Sequence, residues 1–160
     1  MSKPPPAAEG MTRFRGIGER ILLTLWVGSL WAVGYLAVPV LFHALDDRAL
    51  AGELAGQMFR IVNGLGVACG ALLLVSAFTS GLLRQERGRT IVIAVMTLLA
   101  GVMLFVIQPQ MQSIKAEAAL AGAGLGPEFA RLHGLSSALY LGASLLGLWL
   151  VAGYGSRRAA

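Results

Sequence analysis

The sequence predicts an all-α integral membrane protein, a four-helix bundle with both termini in the cytoplasm. Of its 160 residues, 56% are hydrophobic and only 13% are charged, against roughly 25% charged residues in a typical soluble domain. Four long apolar runs follow one another along the chain, and no acidic or basic residue lies in their interiors. The mean hydropathy of +0.71 is typical of the same class.

Each apolar run is close to the length that a membrane-spanning helix needs. A helix that rises ~1.5 Å per residue needs about 20 residues to cross a hydrocarbon layer of ~30 Å. Lipid offers no partners to backbone amides, so runs that cross it must be helical. The predicted spans are 21–42, 61–83, 91–107 and 133–154. The third is the shortest, and we expect it to continue through Gln108 and Pro109 toward Ser113.

The basic residues predict how these spans are oriented. Nine of the thirteen basic residues lie in the N-terminal segment, in the loop after the second span or in the C-terminal tail. Cytoplasmic segments carry the excess of Lys and Arg in multi-pass proteins, so residues 39–60 and 108–132 are expected on the outer side. The predicted domains are a disordered cytoplasmic tail over 1–19, a four-span membrane domain over 20–155 and a cytoplasmic tail over 156–160.

The positive charge of the chain does not indicate nucleic acid. The formal net charge is +5, but the basic residues lie in short tracts between apolar runs rather than in one patch with aromatic residues between them. The lipid bilayer is therefore the expected partner.

Small residues at four-residue spacing are expected to bring the spans together. In lipid, such residues let two helix backbones approach closely. This packing can hold one bundle together or form the seam of a homodimer, and the sequence leaves both open. The predicted packing positions are Gly28, Gly66, Gly70 and Gly142.

Polar residues are concentrated where the first and third spans reach the outer surface. After the first span, Asp46 or Asp47 can cap a following helix through its carboxylate. At the end of the third span, Gln108 and Gln112 flank Pro109, which frees a backbone carbonyl and predicts a kinked helix end. These four carboxylate and amide side chains form the predicted polar rim.

His43 and His133 are the candidate metal or haem ligands. His43 follows the first span and His133 opens the fourth, so both are expected at the outer boundary. Two imidazoles on facing helices can ligate haem iron or, with a carboxylate or thioether, copper or zinc. The alternative is that each is an amphipathic side chain with its polar edge among the headgroups. The sequence lacks metalloprotease, phosphate-binding and nucleophile-elbow motifs, so enzymatic chemistry is not predicted.

The segment LWVGSLWAVGYLAVPVLFHALDDRALAGELAGQMF resembles the opening of a bacterial membrane family, domain of unknown function 4149, which is similar to eukaryotic transmembrane protein 205. The shared pattern is a tryptophan and glycine in the first span, a proline and phenylalanine at the outer boundary, and small residues that lead to another phenylalanine. Its residues here are Trp26, Gly28, Pro39, Phe42, Ala51, Gly52, Gly56 and Phe59. The later QPQMQSIK and FARLHGLSSALYL extend the resemblance over residues 20–153.

The resemblance implies a four-helix protein of unassigned activity in the bacterial cytoplasmic (inner) membrane. We therefore expect a non-enzymatic integral membrane protein with a polar, outward-facing rim and no assigned cofactor. Two alternatives stay open: a haem- or copper-binding protein, related at the level of the fold to the copper resistance D family, and a small transporter component.

Overall fold

The computed structural model describes residues 6–80 and 86–156, with side chains for 14–80 and 86–153. These residues form helices and contain no strand. The α-helices are α1 (Pro6–Ala32), α2 (Val38–Ala44), α3 (Arg48–Thr79), α4 (Arg87–Val102), α5 (Gln108–Leu120) and α6 (Pro127–Ser156). A first π turn, Val33–Ala37, joins α1 to α2, and a second π turn, Met103–Ile107, joins α4 to α5.

Four continuous helical segments in the described residues are long and apolar enough to cross a membrane. They are Phe14–Ala44, Arg48–Thr79, Arg87–Leu120 and Pro127–Gly153. The predicted all-α, four-span fold class is therefore confirmed, and the third span continues past Pro109 as expected. Large apolar side chains cover the outer faces, where Leu72, Phe78 and Phe105 are 57%, 74% and 70% exposed. Such a surface suits lipid, whereas a soluble protein rarely exposes so much contiguous apolar area.

The four spans pack as a ring. The helices α3 and α6 each contact both α1 and α4. Trp26 and Met96 lie almost completely buried where these helices meet, and Val62 and Tyr140 extend the same core. Side chains from all four spans therefore meet at the centre of the bundle.

The two π turns have the same position relative to a proline. Each turn ends two residues before Pro39 or Pro109, and its closing bond runs to the carbonyl five residues earlier, from Val38 N–H to Val33 O and from Gln108 N–H to Met103 O. Proline has no N–H, and in an α-helix its ring clashes with the carbonyl four residues before it. The wider turn accommodates the proline. The predicted kinked helix end at Pro109 is thus a π turn, after which the helix continues to Leu120.

The first helix begins earlier than the sequence predicts. The helix α1 starts at Pro6, well before the predicted first span, which begins at residue 21. Proline is compatible with the first helical turn because that turn leaves its N–H positions unbonded, and the Ala-Ala-Glu that follows favours a helix. Residues 1–5 and 157–160 lie outside the described residues, as does the predicted end of the second span at Leu83.

Candidate functional site

Asp47 caps the helix that begins at the polar rim. Its Oδ1 accepts hydrogen bonds from the backbone N–H groups of Ala49 at 2.8 Å and Leu50 at 3.1 Å, so it satisfies two of the unpaired donors at the start of α3. Of the two aspartates that the sequence offers as a cap, Asp47 is the one that caps, and Asp46 is exposed in the preceding turn. The α3 helix then runs without a break into the second span.

A hydrogen bond connects α3 to α5 beside the rim. Lys115 Nζ donates to the backbone oxygen of Gly52 at 3.1 Å and lies 5.7 Å from the centre of the Phe129 ring on α6. One turn further along α3, a Cβ added at Gly56 would lie 3.3 Å from Gln112 Nε2. Gly52 and Gly56 therefore leave room on α3 for the Lys115 and Gln112 side chains of α5. Neither glycine is among the four predicted packing positions, although their four-residue spacing was the available signal.

The two histidines lie at the surface. His43 is exposed in the last turn of α2, and His133 is exposed on α6, where its ring stacks on Phe129 with centroids 6.1 Å apart. Helix α2 packs against α3, whereas α6 packs against α1, α4 and α5. Within the described residues, no three His, Cys, Asp or Glu side chains are grouped as they would be to hold a metal ion.

Gln108, also predicted for the rim, is partly withdrawn from the surface. Its side chain is half-buried at the end of the second π turn, and its Oε1 is buried with no hydrogen-bond partner among the described residues. Gln112 faces α3, as described above, so the rim combines exposed carboxylates with amides that lie between helices.

A polar core lies deeper in the bundle, around the first π turn. The Tyr140 hydroxyl donates to Leu30 O at 2.6 Å, and the Gly34 backbone N–H lies against the same hydroxyl oxygen. In an α-helix, Leu30 O would accept directly from Gly34 N–H. The tyrosine from α6 is therefore inserted where the α-helical pattern of α1 opens. A Cβ at Gly34 would lie only 2.9 Å from Tyr140 Cζ, which explains why glycine occupies this position.

Aromatic side chains surround the inserted tyrosine. The Phe59 ring meets Tyr140 edge to face at 5.0 Å, and Tyr35 lies 6.2 Å away and contacts Trp31 at 4.6 Å. Edge-to-face and tilted arrangements are the favoured geometries of aromatic pairs. The Tyr140 ring is thereby contacted from the first π turn and from α3 at once.

Two of the four predicted packing glycines lie at close helix contacts. A Cβ at Gly66 would lie 2.5 Å from Trp26 Nε1, and one at Gly70 would lie 3.0 Å from Thr97 Cγ2. These positions let α3 approach α1 and α4. Gly28 and Gly142 have no atom within 4 Å of their added Cβ, whereas Gly147 on α6 lies at a close contact, with its added Cβ 3.0 Å from Val27 Cγ2.

Charged residues connect three helices at the end opposite the rim. Arg89 Nη1 on α4 lies 3.0 Å from Glu19 Oε2 on α1, and their side chains are only 13% and 12% exposed. Arg15 Nη2 donates to Ser76 O on α3 at 2.6 Å. These contacts were not predicted, although Glu19, an acidic residue beside the start of an apolar run, was a signal for them.

Comparisons with known proteins identify the family. The model of a family described as "Domain of unknown function (DUF4149)" matches residues 21–120, more than half of the chain. Glycolipid sulfotransferases from Mycobacterium bovis and Mycobacterium tuberculosis are 34% identical over 67 residues, which is 42% of this chain. The chain spans 19% of the length of these curated relatives. No solved structure matches. The chain belongs to the DUF4149 family, as the tryptophan, proline and small-residue pattern of its first two spans predicts.

Proposed function

We propose that this chain is a non-enzymatic multi-pass protein of the bacterial cytoplasmic membrane, whose polar rim is a preformed surface on the outer side. The observation that carries the proposal is the hydrogen bond from Lys115 to Gly52 O. It joins α5, which carries Gln112, to α3, which Asp47 caps, so the helices that carry the rim are connected before any partner binds. Preorganised surfaces lose less conformational freedom when they bind.

The charge distribution supports the proposed orientation. The end with Arg15 and Arg89 also includes the basic N-terminal segment, whereas the segments 39–60 and 108–132 carry five of the eight acidic residues. The excess of Lys and Arg favours the cytoplasmic side for that first end. Both termini are then cytoplasmic, and residues 39–60 and 108–132 face outward.

The activity named for the mycobacterial relatives is not part of this proposal. The matched segment covers only 19% of those proteins. A purified chain assayed for sulfate transfer to glycolipid is expected to be inactive. Transfer above the level of a no-protein control would contradict the non-enzymatic proposal.

Reporter fusions test the orientation. Alkaline phosphatase is active only outside the cytoplasm, so a fusion after Glu86 is expected to be inactive and a fusion after Gly122, in the loop between α5 and α6, is expected to be active. A green fluorescent protein at the same two positions should give the opposite pattern. Phosphatase activity at Glu86, or its absence at Gly122 in a chain that reaches the membrane, would refute the proposed topology.

A haem or copper protein that uses His43 and His133 is the competing proposal. The two exposed imidazoles would supply the ligands. If the non-enzymatic proposal is correct, the protein purified in mild detergent is colourless and metal-free, and it fails to bind added haem or copper. An absorption band or bound metal that disappears in a His43→Ala/His133→Ala variant would instead establish the competitor.

A further inference from the structure

A small cavity lies at the centre of the bundle, where all four spans meet. Its volume is about 10 Å³, close to the space that a single water molecule needs. Leu30 and Tyr140 line it beside the first π turn, and Ala100 and Met103 line it beside the second. Ligands larger than water therefore do not fit without movement of the helices.

Asn63 brings an amide to this cavity. Its side chain lines the cavity and is 3% exposed, and its Nδ2 has no hydrogen-bond partner among the described residues. A buried amide that makes no hydrogen bond is costly, and lipid around the bundle offers it no partner either. Asparagine is also a weak helix former. Its presence in the long apolar helix α3 therefore indicates a polar partner in the cavity.

The first π turn shows what such a partner does. Where α1 opens, a hydroxyl from another helix is inserted, and Tyr140 donates to Leu30 O, three residues before the turn. Ala100 has the same position before the second π turn and lines the cavity together with Asn63. Side chains and water molecules are the groups that commonly insert where a helix departs from the α pattern. At the second turn, the space available suits water.

We propose that this cavity is a water-binding site that joins α3, α4 and α6. The bound water accepts a hydrogen bond from Asn63 Nδ2, and it donates to the Tyr140 hydroxyl oxygen and to a backbone carbonyl beside the second π turn. Three hydrogen bonds are typical of a buried water. At the second π turn, the water thus donates to a backbone carbonyl, as the Tyr140 hydroxyl does at the first. This role does not depend on the orientation of the protein in the membrane.

Nuclear magnetic resonance can test the site directly because Asn63 is the only asparagine in the chain. Asparagine labelled with ¹⁵N in its side chain gives a single asparagine amide pair in the full-length protein, reconstituted in lipid nanodiscs. A bound water close to this pair produces a rotating-frame Overhauser peak at the water frequency, with the sign opposite to that of proton exchange. We expect this peak in the wild-type protein, and its absence would overturn the proposal.

Two matched alanine variants locate the water. Ala143 lines the cavity and is 8% exposed, so Ala143→Val fills the space and is expected to abolish the water peak while the Asn63 amide pair stays visible. Ala138→Val, on an exposed part of the same helix, is expected to retain the peak. A water peak that persists in a folded Ala143→Val protein would place the water elsewhere and overturn the proposal. If Ala143→Val does not fold, the wild-type measurement still decides.

Discussion

Replacement of Tyr140 by phenylalanine removes one oxygen atom from the contact between α6 and α1. The hydroxyl donates to Leu30 O at 2.6 Å, and Tyr140 is only 7% exposed. Phenylalanine keeps the ring and its edge-to-face contact with Phe59, which has centroids 5.0 Å apart. The variant therefore tests the hydroxyl by itself, with little change in packed volume.

The magnitude of the expected loss follows from the geometry. A hydrogen bond contributes a net ~0.5–1.5 kcal/mol in soluble proteins, and bonds between membrane helices average about 0.6 kcal/mol with a maximum near 1.7 kcal/mol. This bond is short and buried, and its loss leaves the Leu30 carbonyl without its tyrosine donor. We therefore expect Tyr140→Phe to lower the free energy of unfolding by about 1.5 kcal/mol.

Reversible unfolding in mixed micelles, with increasing sodium dodecyl sulfate and circular dichroism as the signal, measures this loss. The matched control is Tyr35→Phe, because Tyr35 belongs to the same aromatic cluster but is 42% exposed. We expect the control to unfold close to the wild type. If Tyr140→Phe also unfolds like the wild type, the hydrogen bond from the Tyr140 hydroxyl to Leu30 O does not stabilise the first π turn.

Three further substitutions test other contacts, each by the same unfolding assay unless stated. Gly66→Ala is expected to lower the free energy of unfolding by about 1–3 kcal/mol because its Cβ meets a tryptophan ring. Gly64→Ala, which has no atom within 4 Å of its added Cβ, should be neutral or slightly stabilising. Equal effects of the two variants would show that Gly66 does not lie at a close helix contact. Arg89→Gln removes the guanidinium that pairs with the largely buried Glu19 carboxylate and is expected to cost ~2 kcal/mol. The exposed Arg87→Gln should cost little. A neutral Arg89→Gln would show that the ion pair is not stabilising. Lys115→Met removes the hydrogen bond to α3, so backbone hydrogen exchange in α5 should accelerate while exchange in α4 stays unchanged. If α5 exchanges at the same rate in the variant and the wild type, other contacts hold α5 in place.

The four-span architecture could be predicted because it follows from composition over long windows. A run of about 20 apolar residues has only one common structural solution in lipid. The ends of the helices were less predictable, because nothing in a hydropathy pattern distinguishes a helix that stops at the membrane surface from one that continues in water. The helix α1 shows this, since it begins at Pro6, well before the apolar run that starts at residue 21.

The rim could be predicted in its location but not in its contacts. Asp46 and Asp47 have the same capping chemistry, and the choice between them depends on where α2 ends and the chain turns extended at Leu45. The contact of Lys115 with Gly52 joins helices that are distant in the sequence. Pattern and spacing describe one helix at a time, so they do not reveal which helix will supply the partner.

The residues of the polar core can be recognised in the sequence. Polar residues inside membrane spans are costly, and they are therefore found mainly where they have a partner. Asn63 and Tyr140 both lie within predicted apolar runs, and Pro39 and Pro109 mark the two spans whose backbone must depart from the α-helical pattern. A search for polar residues in apolar runs, joined to a search for prolines near span ends, would have nominated all four residues. It would not have paired them, because the tyrosine on α6 reaches α1 only once the four helices are packed.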